Sequence, residues 1–314
     1  MFTHEPVLLD EVLESLSLDA HPQGVFVDAT FGRGGHSAAI LQRLNQQGRL
    51  IALDRDPVAI AAGHERFKGE KRLSLVHRPF AQLRDALAEA GTGDSAGKIS
   101  GVLFDLGVSS PQLDDAGRGF SFMRDGPLDM RMDNSSGINA AEWLAKISER
   151  DLQNIISEYG EERFARRIAN AIVSYRREQS ITSTTQLAEL IDRAVPTREP
   201  GKHPATRTFQ AIRIAVNAEL EQIQQALTEV IDVLEPSGRL CVISFHSLED
   251  QLVKQFMQVN SQDDPMYAGL PNIPADKRAR LKRVGRAIHP TDAEVQRNPR
   301  ARSAILRVAE RMAA

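Results

Sequence analysis

A single cysteine, Cys241, occurs in 314 residues. A lone thiol can neither close an internal disulfide nor assemble a cysteine metal site, so disulfide scaffolds are excluded and a reducing compartment, the cytoplasm, is expected. No apolar run approaches the roughly 18 to 20 residues of a membrane helix. The opening stretch MFTHEPVLLDEVLESL lacks the basic, apolar, small-residue order of a signal peptide. A soluble, unexported protein with no membrane partner is therefore expected. The eight histidines show no metal-ligand spacing such as H-E-x-x-H, so no metal is expected. Internal repeats and low-complexity tracts are also missing.

The chain is 41% hydrophobic and 26% charged, an ordinary globular balance. At about 150 residues per domain, its length suggests two domains. A net charge of −3 (39 Lys and Arg against 42 Asp and Glu) conceals a segregation. Residues 161–217 carry ten bases and six acids, residues 275–314 eleven and four, and residues 214–265 two and nine. Two basic segments suit a polyanion-binding face, because phosphate contacts release counterions and give sequence-independent affinity. Solvated helix surface accounts for the same charges.

Strand and helix patterns alternate through the first third. Strands are expected at Val25–Thr30, Arg49–Asp54, Leu73–His77 and Gly101–Leu106, with helices between them and Asp56-Pro57 opening one of these. That alternation predicts a mostly parallel sheet. Such sheets bind ligands beyond the carboxyl ends of their strands, where Asp28, Asp54 and Asp105 fall. After a loop rich in Gly, Ser, Asp and Pro at 108–133, helical periodicity takes over without a convincing strand. A long amphipathic helix from Ile214 to Leu234 and a β-branched strand at Arg239–Phe245 restart the α/β pattern. Strands at 284–289 and 303–309 are expected to finish the sheet in a hairpin-like pair.

Two features carry chemistry. Gly32-x-Gly-Gly, between a strand and a helix, lets backbone approach a ligand closely and adds helix N-terminal donors. A dinucleotide fingerprint would place a third glycine where Ser37 stands, and tight structural turns also use glycine. Asp54, eighteen residues beyond His36, suits hydrogen bonds from both ribose hydroxyls of a nucleoside cofactor. The competing role, a helix cap, is already filled by Asp56.

Eight blocks in order carry a more specific signal: Asp28-Ala-Thr-Phe-Gly-Arg-Gly-Gly-His36, Leu53-Asp-Arg-Asp-Pro57, Phe104-Asp-Leu-Gly-Val-Ser-Ser-Pro-Gln112, Arg118-Gly-Phe-Ser-Phe122, Pro127-Leu-Asp-Met-Arg-Met132, His203-Pro-Ala-Thr-Arg-Thr-Phe-Gln210, Ile243-Ser-Phe-His-Ser-Leu-Glu-Asp250 and Asn298-Pro-Arg-Ala-Arg-Ser303. Over almost the whole chain the sequence resembles the bacterial S-adenosylmethionine-dependent methyltransferases that modify the 4-amino group of a cytidine in small-subunit (16S) ribosomal RNA. The resemblance implies an α/β fold, a Rossmann-like class I methyltransferase sheet with an inserted all-helical domain. Residues 1–107 and 215–314 would bind S-adenosyl-L-methionine, and 108–214 would form an RNA-recognition domain. It further implies that Gly34, Gly35 and His36 line the methionine end of the cofactor, Asp54 holds the ribose, Phe80 packs on the adenine, and Asp105 with Gln112 closes the site.

The expected chemistry needs an acceptor for the exocyclic amine, whose lone pair is delocalised into the ring. Many amino methyltransferases use an Asp/Asn-Pro-Pro-aromatic loop after the fourth strand; here Asp105-Leu-Gly-Val-Ser-Ser-Pro takes its place. Asp105 is the expected catalytic acceptor, with Ser109 and Ser110 assisting and Phe120, Phe122 or Phe245 stacking on the base. Ribosomal RNA or the small ribosomal subunit is the expected partner, its nucleotide presented single-stranded or flipped out. Arg163, Arg166 and Arg167 on helical faces, and Arg118, Arg124, Arg131, Lys202, Arg207, Arg300 and Arg302 in loops, are the candidate phosphate contacts. Two rival functions share some of these features: an NAD-dependent oxidoreductase, which has the glycine turn and the acidic strand end, and a non-catalytic RNA-binding protein, which leaves three strand-end aspartates unexplained.

Overall fold

A computed structural model describes residues 6–93, 96–199, 201, 203–267 and 271–313. The chain divides into two compact units, Met1–Gly107 together with Leu220–Ala314, and Val108–Glu219. The helices, in chain order, are α1 (Leu9–Ser15), α2 (Gly35–Arg43), α3 (Pro57–Arg66), α4 (Leu83–Glu89), α5 (Ser110–Asp114), α6 (Ala140–Lys146), α7 (Glu149–Gly160), α8 (Ala165–Arg176), α9 (Thr184–Ala194), α10 (Ala205–Asn217), α11 (Glu219–Val233), α12 (Ser247–Asn260) and α13 (Asp292–Arg297).

In the first unit seven strands, β1 (Val25–Asp28), β2 (Arg49–Asp54), β3 (Leu73–His77), β4 (Ile99–Asp105), β5 (Leu234–Ser244), β6 (Leu281–Arg283) and β7 (Ile305–Arg311), form one sheet in the order β3-β2-β1-β4-β5-β7-β6. β1 to β5 run parallel, and β7 inserts antiparallel between β5 and β6. Successive strand side chains point to opposite faces. Val27, Ile51, Val102, Phe104 and Val242 accordingly join α4, α11 and α12 in one apolar cluster. Phe26, Leu50, Leu103, Cys241 and Ile243 join α1 and α2 in another. Burial pushes the Cys241 thiol up to about 12, which leaves it an inert core residue. The chain leaves β1 toward β2 on one side and returns to β4 on the other, and it is beyond the strand ends at such a reversal that open α/β sheets hold their ligands. No helix is long and apolar enough to cross a membrane among the described residues.

The second unit is helical, with a core that includes Leu144, Leu152, Ile156, Ile168, Ile172, Leu187, Ile191 and Ile212. Its helices start where side-chain caps occur: Asn139, Ser148 and Ser183 each accept a backbone N–H at their helix's third position. Asn217, buried, accepts from Met132 N (2.8 Å) and donates to the Met130 carbonyl (2.7 Å), pinning the 127–132 loop to the end of α10.

Three expectations need correction. The helical unit ends at Glu219 rather than 214, because α10 continues to Asn217 and Glu219 forms a two-pronged ion pair with Arg213 (2.8 Å each). The single long helix from Ile214 is two helices, broken at Ala218, whose φ of 50° is left-handed. The strand expected at 284–289 lies earlier, as β6, and within 284–289 only Ile288 forms a lone bridge, to Leu306.

Candidate active site at the strand ends

Three aspartates end parallel strands of the first unit, and each is tied to its surroundings differently. Asp28, at the end of β1, is buried, accepts from Thr30 N (3.2 Å) and takes a 2.6 Å hydrogen bond from the Ser37 hydroxyl. Burial raises its pKa, with Ser37 and His36 opposing the shift. Ser37 therefore occupies the third-glycine position as a donor: its hydroxyl, fully buried on α2, fastens the helix to β1. The missing third glycine is the one mark of that contact in the sequence.

Asp54, at the end of β2, keeps part of its surface exposed. One carboxylate oxygen accepts from Gly32 N (2.7 Å) and the other from Asp56 N (2.8 Å). The side chain thus braces the glycine turn against the start of α3, which Asp56 caps through Val58 N (2.9 Å). Burial first, then the neighbouring carboxylates Asp56 and Asp28, push the Asp54 pKa up to about 6, against the two backbone donors.

The glycines of the turn answer first to packing. Gly34 has φ +68°, and a Cβ there would lie 2.6 Å from Phe31 and 2.7 Å from Phe67; one on Gly35 would meet Pro6 at 2.5 Å. Their presence alone is thus no proof of a ligand.

Asp105, at the end of β4, provides the stronger sign. Thr30 Oγ1 accepts from its backbone N–H (2.6 Å) and locks β4 against β1. Its Oδ2 lies 3.6 Å from His36 Nδ1, while its Oδ1 is buried with no hydrogen-bond partner, although a quarter of the side chain remains exposed. Buried carboxylate oxygens without donors are rare and call for a missing partner. Burial, reinforced by Asp28 and Glu249 and opposed by His36, pushes the Asp105 pKa up to about 6.

Phe80 follows β3 and packs edge-on against Phe104 (centroids 5.7 Å apart), the residue before Asp105. After β5, Glu249 on α12 is buried, and one of its oxygens accepts from Phe245 N (2.8 Å) and His246 N (3.3 Å). Phe245 is held beside Gly107 in the same unit as Asp105. The sequence motif His246-x-x-Glu249 is a capping box, a pattern that could have located this support.

Other expected site residues lie in the helical unit. Ser109 caps α5, and Gln112 Oε1 accepts from Ser109 N (2.9 Å), so both belong to a capping box; Ser110 is buried behind them. Phe120 is buried in the helical core, and Phe122, partly buried, packs on Phe209 and His203 (4.8 and 4.6 Å).

Several expected phosphate contacts are occupied within the fold. Arg118 donates to the carbonyls of Arg131 and Met132, Arg131 pairs two-pronged with Asp129 (2.8 Å), Arg207 meets Glu199 (2.9 Å), and Arg124 meets the Asp114 carbonyl. Arg163 donates to Thr197 (2.6 Å) and lies over Phe164. Arg166, Arg167, Arg300 and Arg302 are exposed, and Lys202 lies outside the described residues. No three His, Cys, Asp or Glu among the described residues are grouped to hold a metal ion.

A parallel sheet with one inserted antiparallel strand, a glycine turn after β1 and acidic ends on β1, β2 and β4 define a Rossmann-like α/β protein with a nucleoside-type cofactor site. The sequence matches the model of the MraW methylase family over residues 1–312. It is 55% identical to the ribosomal RNA small subunit methyltransferase H of Alteromonas mediterranea, over 99% of this chain and 98% of that one. Proteins of the same name from Coxiella burnetii (51%, 99% of this chain and 100% of that one) and Idiomarina loihiensis (54%, 98% and 97%) are similarly close. The chain belongs to the MraW methylase family. It is an enzyme of the methyltransferase class.

Proposed function

We propose that this protein transfers a methyl group from S-adenosyl-L-methionine to the exocyclic 4-amino group of a cytidine in small-subunit ribosomal RNA, acting in the cytoplasm. The observation that carries the mechanism is Asp105 Oδ1, a buried acceptor without a donor at the end of β4. The cofactor supplies, when bound, a methyl carbon made electrophilic by a sulfonium sulfur.

The residues of the first unit fit that cofactor. Asp54, a half-buried residue beside the glycine turn, accepts the ribose hydroxyls; Gly34, Gly35 and His36 offer the backbone of α2's first turn to the methionine end. Phe80 packs against the adenine. Asp105 Oδ1 accepts a hydrogen bond from the cytidine amine, which orients the nitrogen lone pair and stabilises the positive charge that grows on it. Phe245 stacks on the base. Ser109, Ser110 and Gln112 follow Asp105 by four to seven residues, and their assignment to the site rests on that proximity along the chain.

The helical unit, with ten bases against six acids over 161–217 and with Arg166 and Arg167 exposed, binds the RNA backbone. Labelled S-adenosylmethionine offered with isolated small subunits or naked ribosomal RNA tests the reading. Label on N4 of one cytidine is expected; label on another atom, or none with either substrate, refutes it. A spectroscopic titration in which NADH binds and S-adenosylmethionine does not would favour the oxidoreductase instead.

A further inference from the structure

The His36 side chain sits between two oxygens. Its Nε2 is 3.0 Å from the Val7 carbonyl, its Nδ1 is 3.6 Å from Asp105 Oδ2, and the ring is buried on α2. A carbonyl only accepts, so the Nε2 position carries a proton. In a neutral ring Nδ1 would then present a lone pair to a carboxylate oxygen, two acceptors facing each other. One proton between Nδ1 and that oxygen resolves the conflict.

The Val7 carbonyl is itself fixed. Leu8 N donates to the buried carboxylate of Glu294 (2.8 Å), and Pro6 covers Gly35. The ring is therefore oriented from the side opposite Asp105.

We propose that His36 is a positioning residue for methyl transfer: through Nδ1 it holds Asp105 Oδ2, leaves Oδ1 facing the reacting amine, and keeps that carboxylate ionised. This rests on the reading of Asp105 as the amine's acceptor. The amine lone pair forms the new nitrogen–carbon bond while the carbon–sulfur bond breaks and its electron pair returns to sulfur. The nitrogen then gives one proton to Asp105 Oδ1, recovering the N–H electron pair. Only an ionised Asp105 can take that proton.

The groups facing Asp105 set the direction of the pH effect. The carboxylates of Asp28 from β1 and Glu249 from α12 disfavour its ionisation, and His36 from α2 opposes them. The Ser37 hydroxyl binds Asp28 rather than Asp105. At 3.6 Å the His36–Asp105 contact is longer than a hydrogen bond, and such contacts commonly tighten only with substrates bound.

The test is single-turnover methylation of small subunits across pH 5 to 9 at saturating S-adenosylmethionine, with cofactor affinity measured separately by calorimetry. For the wild type, the rate should rise with pH as Asp105 ionises. His36→Gln keeps a donor for Val7 and loses the charge. Its acid limb should move up by roughly one pH unit, the low end for an opposite charge close by. At pH 6 the rate should fall roughly fivefold, and most of it should return above pH 8. His36→Asn, a second route to the same loss of charge, should show the same shift if the glutamine variant fails to fold. A fall that is equal at every pH, or an unmoved limb in either folded variant, overturns the proposal. Asp105→Asn, measured in parallel, separates the two claims. If it keeps the wild-type rate and limb, the acceptor role itself is wrong; if it loses rate while the His36 variants leave the limb unmoved, only the role of His36 is wrong.

Discussion

Replacing Asp54 should separate its two duties. Its two oxygens accept from Gly32 N and Asp56 N (2.7 and 2.8 Å), so Asp54→Ala strips acceptors from both ends of the link between the glycine turn and α3. An unpaired buried donor costs about 1–3 kcal/mol; with part of Asp54 exposed, water offsets some of this, and a loss of about 2 kcal/mol in all is expected. Asp54→Asn offers little relief. Its amide oxygen can serve one backbone N–H, but its NH2 must then face the other, donor against donor. Cofactor binding loses the ribose contacts as well, hydrogen bonds to a charged group of about 1.5–3 kcal/mol, or roughly ten- to a hundredfold in Kd.

pH gives a further handle, because the free Asp54 carboxyl titrates near 6. Wild-type affinity should fall as pH drops through that value, since the ionised form accepts the ribose hydroxyls, and the variants should lack this part of the dependence. Urea unfolding at pH 8 reads the structural cost, and calorimetric titration with S-adenosylmethionine reads the binding cost. A folded Asp54→Ala protein with undiminished affinity would refute the ribose assignment; undiminished stability would refute the bracing role.

Asp105→Asn and Asp105→Ala should lower the single-turnover rate by tens to thousands of fold, Ala more than Asn, with RNA affinity little changed, and full rescue at saturating cofactor would reassign Asp105 to cofactor positioning. Replacing Arg166 and Arg167, the two arginines of the basic helix that lie exposed, should weaken RNA binding and reduce the log–log salt slope by about 2 while cofactor affinity holds; an unchanged slope would make them ordinary surface. Ser37→Ala removes the hydroxyl that holds down the already raised pKa of buried Asp28 and should cost about 1–3 kcal/mol near neutral pH. The sign is definite: folding favours the protonated carboxyl, so the added cost is absent below the unfolded-state value near 4 and appears as pH rises through the folded-state value. Urea midpoints that differ from wild type more at pH 4 than at pH 8 would contradict this.

The parallel strands, the cap at Asp56 and most helices of the second unit are legible in the sequence because each rests on short-range physics: alternation every two residues, a stripe every three or four, a cap one turn from its partner. The placement of Asp28, Asp54 and Asp105 at strand ends followed from the same alternation. The break at Ala218 is not legible in the sequence, since a left-handed alanine has no compositional mark. The short strand β6 leaves little pattern in the sequence because it is three residues long and pairs with β7 residues 26 to 30 positions later.

The amino-acid sequence by itself determined which segments become strands and helices, where the α/β pattern is interrupted, and which acidic side chains come to the strand ends. Tertiary structure alone decided what those side chains meet. Ser37 reaches Asp28, His36 reaches both Val7 and Asp105, and Glu294 reaches back 286 residues to Leu8. It also buried Phe120 and gave Arg118 and Arg131 partners within the helical unit. Such pairings join groups far apart in the chain, and neither periodicity nor capping constrains them; they exist only once the helices have docked on their cores and the low-dielectric crevice has made each unpaired polar atom costly.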